Sequence, residues 1–256
     1  MRKYIQPLLT FVRWCICHFE IGKRFTQWFH RTCSVYKMKK RCKLLQKVGW
    51  DVLKHTGQIL NSANCEYYVE YGTLLGLYRD KSLIRHDDDV DYGVLYDSMS
   101  PEDLLDLMLD AGLSFCRAFM WDGRITELAF TYKGVPVDFF YLFNDENAPY
   151  SMSYNDFMYN DRGICVARKI TKLLKPKFIG TQTYMVNGID IRIPKNAATF
   201  LEYNYGKSWK TPIKNFKADD DKLEKQRYEG EARIFLAVDD VREFLALKST
   251  YNEMKS

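Results

Sequence analysis

Four aspartates fall within five residues, Asp87-Asp88-Asp89-Val90-Asp91. Val90, Tyr92 and Val94 alternate with Asp89, Asp91 and Gly93, so residues 89–95 read as a strand of period two. Asp89 and Asp91 then share one face, their Cα atoms roughly 7 Å apart at the usual rise per residue. Apolar neighbours argue for a partly buried strand, where stacked like charges need a cation to offset them. All-oxygen ligands favour Mg²⁺ or Mn²⁺. A third carboxylate is available in Val135-Pro136-Val137-Asp138-Phe139-Phe140-Tyr141, where Asp138 stands alone in an apolar run. Such an acid is either paired with a basic residue or bound to metal. Glu127, on the strand expected beside it, is a spare acid. A calcium loop starting at Asp87 would need Gly at position 92 and Glu at 98; the chain has Tyr92 and Ser98. A solvated acidic loop remains the alternative.

Upstream lies Glu70-Tyr71-Gly72-Thr73-Leu74-Leu75-Gly76-Leu77-Tyr78-Arg79. Residues 66–71 are aromatic and β-branched and read as a strand. Gly72-Thr73 breaks it, with Thr73 as N-cap of a following helix. A strand entering a helix this way directs backbone N–H groups at an anion, and Gly72 allows a phosphate to approach closely. Arg79 and Lys81 sit between the two motifs, either in a solvated basic loop or neutralising phosphates. Carboxylates for a metal beside a phosphate-binding turn are the parts of metal-assisted phosphoryl-group transfer.

Gly-Thr-Leu-Leu-Gly-x-x-Arg-x-Lys, a gap ending in Ile84, and Asp-Asp-Asp-Val-Asp together resemble the LicD/fukutin group, phosphoalcohol transferases built on the nucleotidyltransferase fold. Tyr205-Gly206-Lys207-Ser208-Trp209-Lys210-Thr211-Pro212 is similar to the group's C-terminal Tyr-Gly-x-x-Trp-x-x-Pro element. The chain differs in having Arg85-His86 where the group has Pro-Trp, and Tyr92 where it has an aliphatic residue. The resemblance implies a metal held by Asp89, Asp91 and Asp138, phosphate contacts at Gly72 and Thr73, and a CDP-alcohol donor. A phosphoalcohol such as phosphoribitol, phosphoglycerol or phosphocholine would pass to a glycan hydroxyl, and CMP would leave. Two alternatives are a nucleotidyltransferase acting on a triphosphate and a non-catalytic, metal-stabilised scaffold at a membrane surface.

The elements that must hold these residues imply an α/β (α+β) fold: a mixed, mostly antiparallel nucleotidyltransferase-type sheet flanked by helices, with helical extensions at both ends. Residues 38–61 read as a helix. Ser100-Pro101-Glu102-Asp103 starts another, which Gly112 ends. Strands are expected at about 113–119, 125–132 and 135–143, joined by Asp122-Gly123 and Lys133-Gly134 turns. Residues 144–162 read as a loop over the site. Asn187-Gly188 turns a hairpin of 178–186 with 189–193. Pro194 opens a helix to Tyr205, and residues 219–247 read as a charged helix. The chain divides into a basic lead-in (1–43), a catalytic domain (44–215) and a charged C-terminal helical segment packed on it (216–256).

The net charge of +5 is uneven: residues 1–43 carry 11 Lys/Arg against Glu20 alone, and the rest is net −5. An acidic body argues against nucleic acid as partner. No apolar run reaches the ~20 residues that span a bilayer. The basic, aromatic lead-in suits peripheral contact with an anionic membrane, or packs on the domain as an ordinary helix. Seven scattered cysteines and the lack of an export signal fit a cytoplasmic protein without disulfides, at most peripheral at the inner membrane face.

Overall fold

A computed structural model describes residues 20–144, 148–159, 165–212 and 225–253. Residues 1–19, and with them much of the expected lead-in, lie outside it. A long helix, α1 (Glu20–Ser62), leads into strand β1 (Tyr67–Val69), the short helix α2 (Tyr71–Leu75) and a single π-helical turn (Gly76–Asp80). Strand β2 (Val90–Leu95) and helix α3 (Pro101–Asp110) follow, then the meander β3 (Ser114–Trp121), β4 (Arg124–Tyr132) and β5 (Val135–Leu142). Next come β6 (Tyr150–Tyr159), β7 (Cys165–Leu174), the hairpin β8 (Thr181–Val186) and β9 (Ile189–Pro194), and α4 (Ala197–Tyr205). Strand β10 (Lys225–Phe235) and helix α5 (Val238–Glu253) complete the described chain.

Eight strands form one mixed sheet in the order β1-β2-β5-β4-β3-β10-β7-β6. Only β2 and β5 pair in parallel, with Asp91 opposite Asp138. The turns match the sequence expectation: Asp122-Gly123 and Lys133-Gly134 hold positive φ at both residues, the geometry that suits the twist of a hairpin. Ser100 caps α3 by accepting the Asp103 N–H, which satisfies one of the helix's unpaired donors.

Alternation along β2 and β5 sorts their side chains between two environments. Tyr92 and Phe139 stack on each other, and Tyr92 shares a hydrogen bond with Thr56 of α1. Leu45, Val52, Leu53 and Leu60 of α1 are fully buried in the same core. Being offset by one residue, Asp91 and Asp138 must face the other way. The distal part of the sheet curls: Phe143, just past β5, and Tyr150, opening β6, exchange two backbone hydrogen bonds of 2.9 Å. A second cluster of Phe119, Met152, Tyr154, Ala167, Ile170, Ala232 and Ile234 forms there.

Four expectations need correction. The stretch 144–162, read as a loop, contains β6; Tyr150, Met152 and Tyr154 alternate with serines and bury their side chains or pack on the second cluster. The segment 219–247, read as helix, forms β10 over its middle, because β7 pairs along Lys225–Arg233 and β3 along Arg233–Phe235, giving backbone partners along the segment. Pro194 ends β9, and α4 starts beyond it with Asn196 as N-cap residue. Thr73 is not an N-cap: Glu70 takes that position, and Thr73 is buried inside α2.

Candidate active site

The strand-to-helix turn and the acid strand are stitched together. The Glu70 N–H donates to the Asp91 carbonyl at 2.9 Å, and the Thr73 hydroxyl accepts the Asp91 N–H at 3.0 Å. Thr73 therefore fixes the acid strand directly. Gly72 leaves room for a carboxylate: a Cβ there would sit 2.2 Å from Asp87 Oδ2. Tyr71, with φ of +43°, makes the sharp entry into α2 and sets its ring edge-on to Phe140.

Parallel, in-register pairing of β2 and β5 brings Asp138 beside Asp91, and Asp89 precedes them by one step. One carboxylate oxygen from each of Asp89, Asp91 and Asp138 lies within 4.8 Å of the others, a spacing that could hold a metal ion. Asp87, Asp88 and Asp89 make a second such group that shares Asp89. Burial and the neighbouring acids push the Asp89 carboxyl up to about 8. Burial, then Asp89 and Asp138, hold Asp91 well above the usual carboxylate range. Burial likewise raises Asp138, with Arg117 opposing it.

Asp138 divides its two oxygens. Oδ2 accepts from Arg117 Nη2 at 3.1 Å, whereas Oδ1 is buried with no hydrogen-bond partner among the described residues. A buried acceptor without a donor costs about 1–3 kcal/mol, and a divalent cation among three carboxylates is a chemically matched way to satisfy it. Glu127 stays outside the triad; its Oε1 accepts from the same Arg117 nitrogen at 3.0 Å, and burial raises its pKa to about 7. From α1, Arg41 Nη2 pairs with Asp88 at 2.5 Å.

The two cations singled out in the sequence lie to one side. Arg79 has all three nitrogens engaged: Nε and Nη2 with Asp80 at 2.8 and 2.7 Å, and Nη1 with the Trp209 carbonyl at 3.1 Å. It thereby straps the Tyr205–Pro212 element to the π-helical turn and walls a cleft shared with Gly72, His86, Asp87, Tyr205 and Trp209. Lys81 is exposed, bonded to the Tyr78 carbonyl and resting 4.3 Å from the Tyr184 ring centroid.

Asp87, part of the acidic run, meets Gly72 from the loop before β2. Two contributors escaped sequence reasoning. Arg117, on β3, comes into register with Ala129 and so reaches Asp138 one strand further on. Lys175, fully buried, bonds Glu70 at 2.5 Å and the Tyr71 hydroxyl at 3.0 Å. Burial works against the Lys175 charge, but Glu70 and Tyr71 more than offset it and its pKa is raised. No local pattern marks Arg117 or Lys175; the first depends on β4 bridging β3 to β5, the second on the chain after β7 returning to the start of α2.

Residues 64–196 match the family profile described as LicD/FKTN/FKRP, nucleotidyltransferase domain. The chain is 28% identical over 207 residues to ribitol-5-phosphate transferase FKTN of Mus musculus and 27% identical over 207 residues to that of Homo sapiens. Each match covers 80% of this chain and 41% of the relative, so the chain spans less than half the length of those proteins. The profile covers the turn, the acid strand, Arg117, Asp138 and Lys175, and the chain belongs to the LicD/FKTN/FKRP family.

Proposed function

We propose that the chain is a phosphotransferase that moves a phosphoalcohol from a CDP-linked donor to a glycan hydroxyl, with release of CMP. The observation that carries this reading is the convergence of Asp89, Asp91 and Asp138 around an unsatisfied buried oxygen. Family membership, and relatives named ribitol-5-phosphate transferases, support it. The same fit supports Mg²⁺ or Mn²⁺ as cofactor, held by the three aspartates. Bound there, such an ion would neutralise charge on the donor's diphosphate. Asp138 would also orient the acceptor hydroxyl and accept its proton. The turn at Gly72 and Thr73 keeps the acid strand in position, and the cleft beside Asp87 and Trp209 is where the rest of the donor is taken up.

None of the helices among the described residues is long and apolar enough to cross a membrane. The +10 charge of residues 1–43 supports peripheral attachment to an anionic surface instead, at roughly 1 kcal/mol per basic residue near it.

The test is incubation with a panel of CDP-alcohols and glycan acceptors, with and without Mg²⁺ or Mn²⁺, and mass spectrometry of the products. CMP and a phosphoalcohol-modified glycan are expected. Pyrophosphate from a nucleoside triphosphate, with no CMP from any CDP-alcohol, would overturn the reading.

A further inference from the structure

The site brings four acids together, and its anionic ligand needs a donor group to meet it. Arg79 and Lys81 stand in the right part of the sequence for that task, but the Arg79 donors are already engaged and Lys81 rests against aromatic rings. The Arg79 fork is closed by Asp80 and by the Trp209 carbonyl, and the side chain is 14% exposed. Lys81 faces Tyr78 and Tyr184 rather than the acids.

Arg117 is arranged differently. It stands on the same face of the sheet as Asp138, and both of its hydrogen bonds to protein leave from one nitrogen, Nη2. Nη1 and Nε make none among the described residues. The side chain is 37% exposed, and its guanidinium carbon lies 5.5 Å from the Phe119 ring centroid, so it is reached by solvent from a fixed position. Glu127 and Asp138 clamp one corner of the plane, which presets the direction of the other. Both two-pronged edges of the guanidinium, Nε/Nη2 and Nη1/Nη2, include the engaged Nη2, but Nη1 keeps open N–H groups, one guanidinium away from a candidate metal ligand, that suit a phosphate oxygen.

We infer that Arg117 is the site's phosphate-binding arginine: Nη2 fixes Asp138 and Glu127, while the open Nη1 donates to an oxygen of the phosphate that the metal would also contact. This rests on the reading of a phosphorylated donor at the acid cluster. The arrangement keeps the Asp138 Oδ1 lone pairs for the metal and gives the phosphate a second cation on the side away from Asp89.

The test uses the full chain with Mn²⁺, and inorganic pyrophosphate as probe. Pyrophosphate affinity is measured by calorimetry at saturating Mn²⁺, and Mn²⁺ affinity separately by electron paramagnetic resonance. Arg117→Gln is expected to weaken pyrophosphate about tenfold or more, the loss of charge-assisted hydrogen bonds, with Mn²⁺ affinity retained. Arg117→Lys should fall between. If Arg117→Gln does not fold, Arg117→Gln with Glu127→Gln removes the acid that would be left buried and carries the same expectation. Lys133→Gln, at an exposed lysine paired with Asp51, should leave pyrophosphate affinity within about twofold. Unchanged pyrophosphate affinity in the Arg117 variants, or no pyrophosphate binding by the wild type, overturns the inference, even if CMP is released from a CDP-alcohol. Arg117-dependent pyrophosphate binding without CMP release upholds the inference and overturns the donor reading alone.

Discussion

Arg79 and Arg117 carry the same side chain to opposite ends of the site, and their surroundings give them opposite capacities. Around Arg79, every nitrogen is satisfied by a neighbouring carboxylate and a carbonyl from 130 residues away, so the group ties two segments together. Around Arg117, two buried acids share one nitrogen and the rest of the fork stays open. Position in the sequence favoured the first as a ligand contact; hydrogen-bond bookkeeping favours the second. The difference shows that a basic residue's function is set by how many of its donors the fold has left unengaged.

The acid triad should give the largest effect, and it tests whether the open side of this comparison is the chemical side. Asp91→Asn or Asp89→Asn is expected to lower turnover about a thousandfold, the scale of several kcal/mol of metal-derived stabilisation. The metal-free protein should melt no lower than wild type, since repulsion is relieved. Turnover and melting curves with and without Mg²⁺ check this, and near-normal activity in both variants would break the metal assignment.

Lys175 provides the next largest effect, on stability. Lys175→Met leaves Glu70 buried at 1% exposure without its partner, at a cost of about 3–5 kcal/mol. Adding Glu70→Gln should restore much of the loss. Urea denaturation of the single and double variants measures both, and additive losses would mean that the pair is not coupled.

The metal-free protein should respond to pH. Asp89 has a folded-state pKa of about 8, far above that of an unfolded aspartate near 4. The folded state therefore holds its proton more tightly, and stability falls as pH rises through that window. In EDTA, Tm should decline between pH 5 and pH 9, and Mg²⁺ should flatten the decline. A metal-free Tm rising across that range would contradict the picture of mutually raised carboxyls.

Arg79 gives the smallest effect and sharpens the contrast with Arg117. Arg79→Gln loses a part-exposed ion pair and one bond to the Trp209 carbonyl, worth about 1 kcal/mol. Tm should drop by a few degrees. A greater loss of turnover than in Arg117→Gln, at equal stability, would reverse the roles assigned to the two arginines.

The legible parts of the molecule were those written in local patterns. Val90-Asp91-Tyr92 alternation gave β2 and the face of its acids, and the Asp-Gly and Asn-Gly turns fixed the hairpins. Ser100-Pro101 gave the start of α3. The strand β6 was present in the sequence as Tyr150, Met152 and Tyr154 against Ser151 and Ser153, but tyrosine's polar tip masked the period. Lys225–Phe235 is too charged to announce a strand; pairing with β7 over most of its length and with β3 at its end imposes one, overriding local preference. The ties of Arg117 to Asp138 and of Lys175 to Glu70 span 21 and 105 residues; the strand order makes the first pair neighbours, whereas β1 and β7 stand far apart in that order and Lys175 reaches Glu70 across the curl of the sheet.

That strand order also has a consequence for how the chain is assembled. Strand β10 sits between β3 and β7, so an inner slot of the sheet is filled by a segment that follows all the other described strands in sequence. Until it arrives, β3 and β7 each present a bare edge, and the β6–β7 ribbon has no partner on its β7 side except through that gap. Such edges invite pairing with other chains. Contacts this distant in sequence also slow the final closure. A chain in which residues 225–235 have not yet joined the sheet would therefore hold the acid-bearing strands β2 and β5 already paired beside open edges, and would be exposed to pairing with other chains until β10 is inserted.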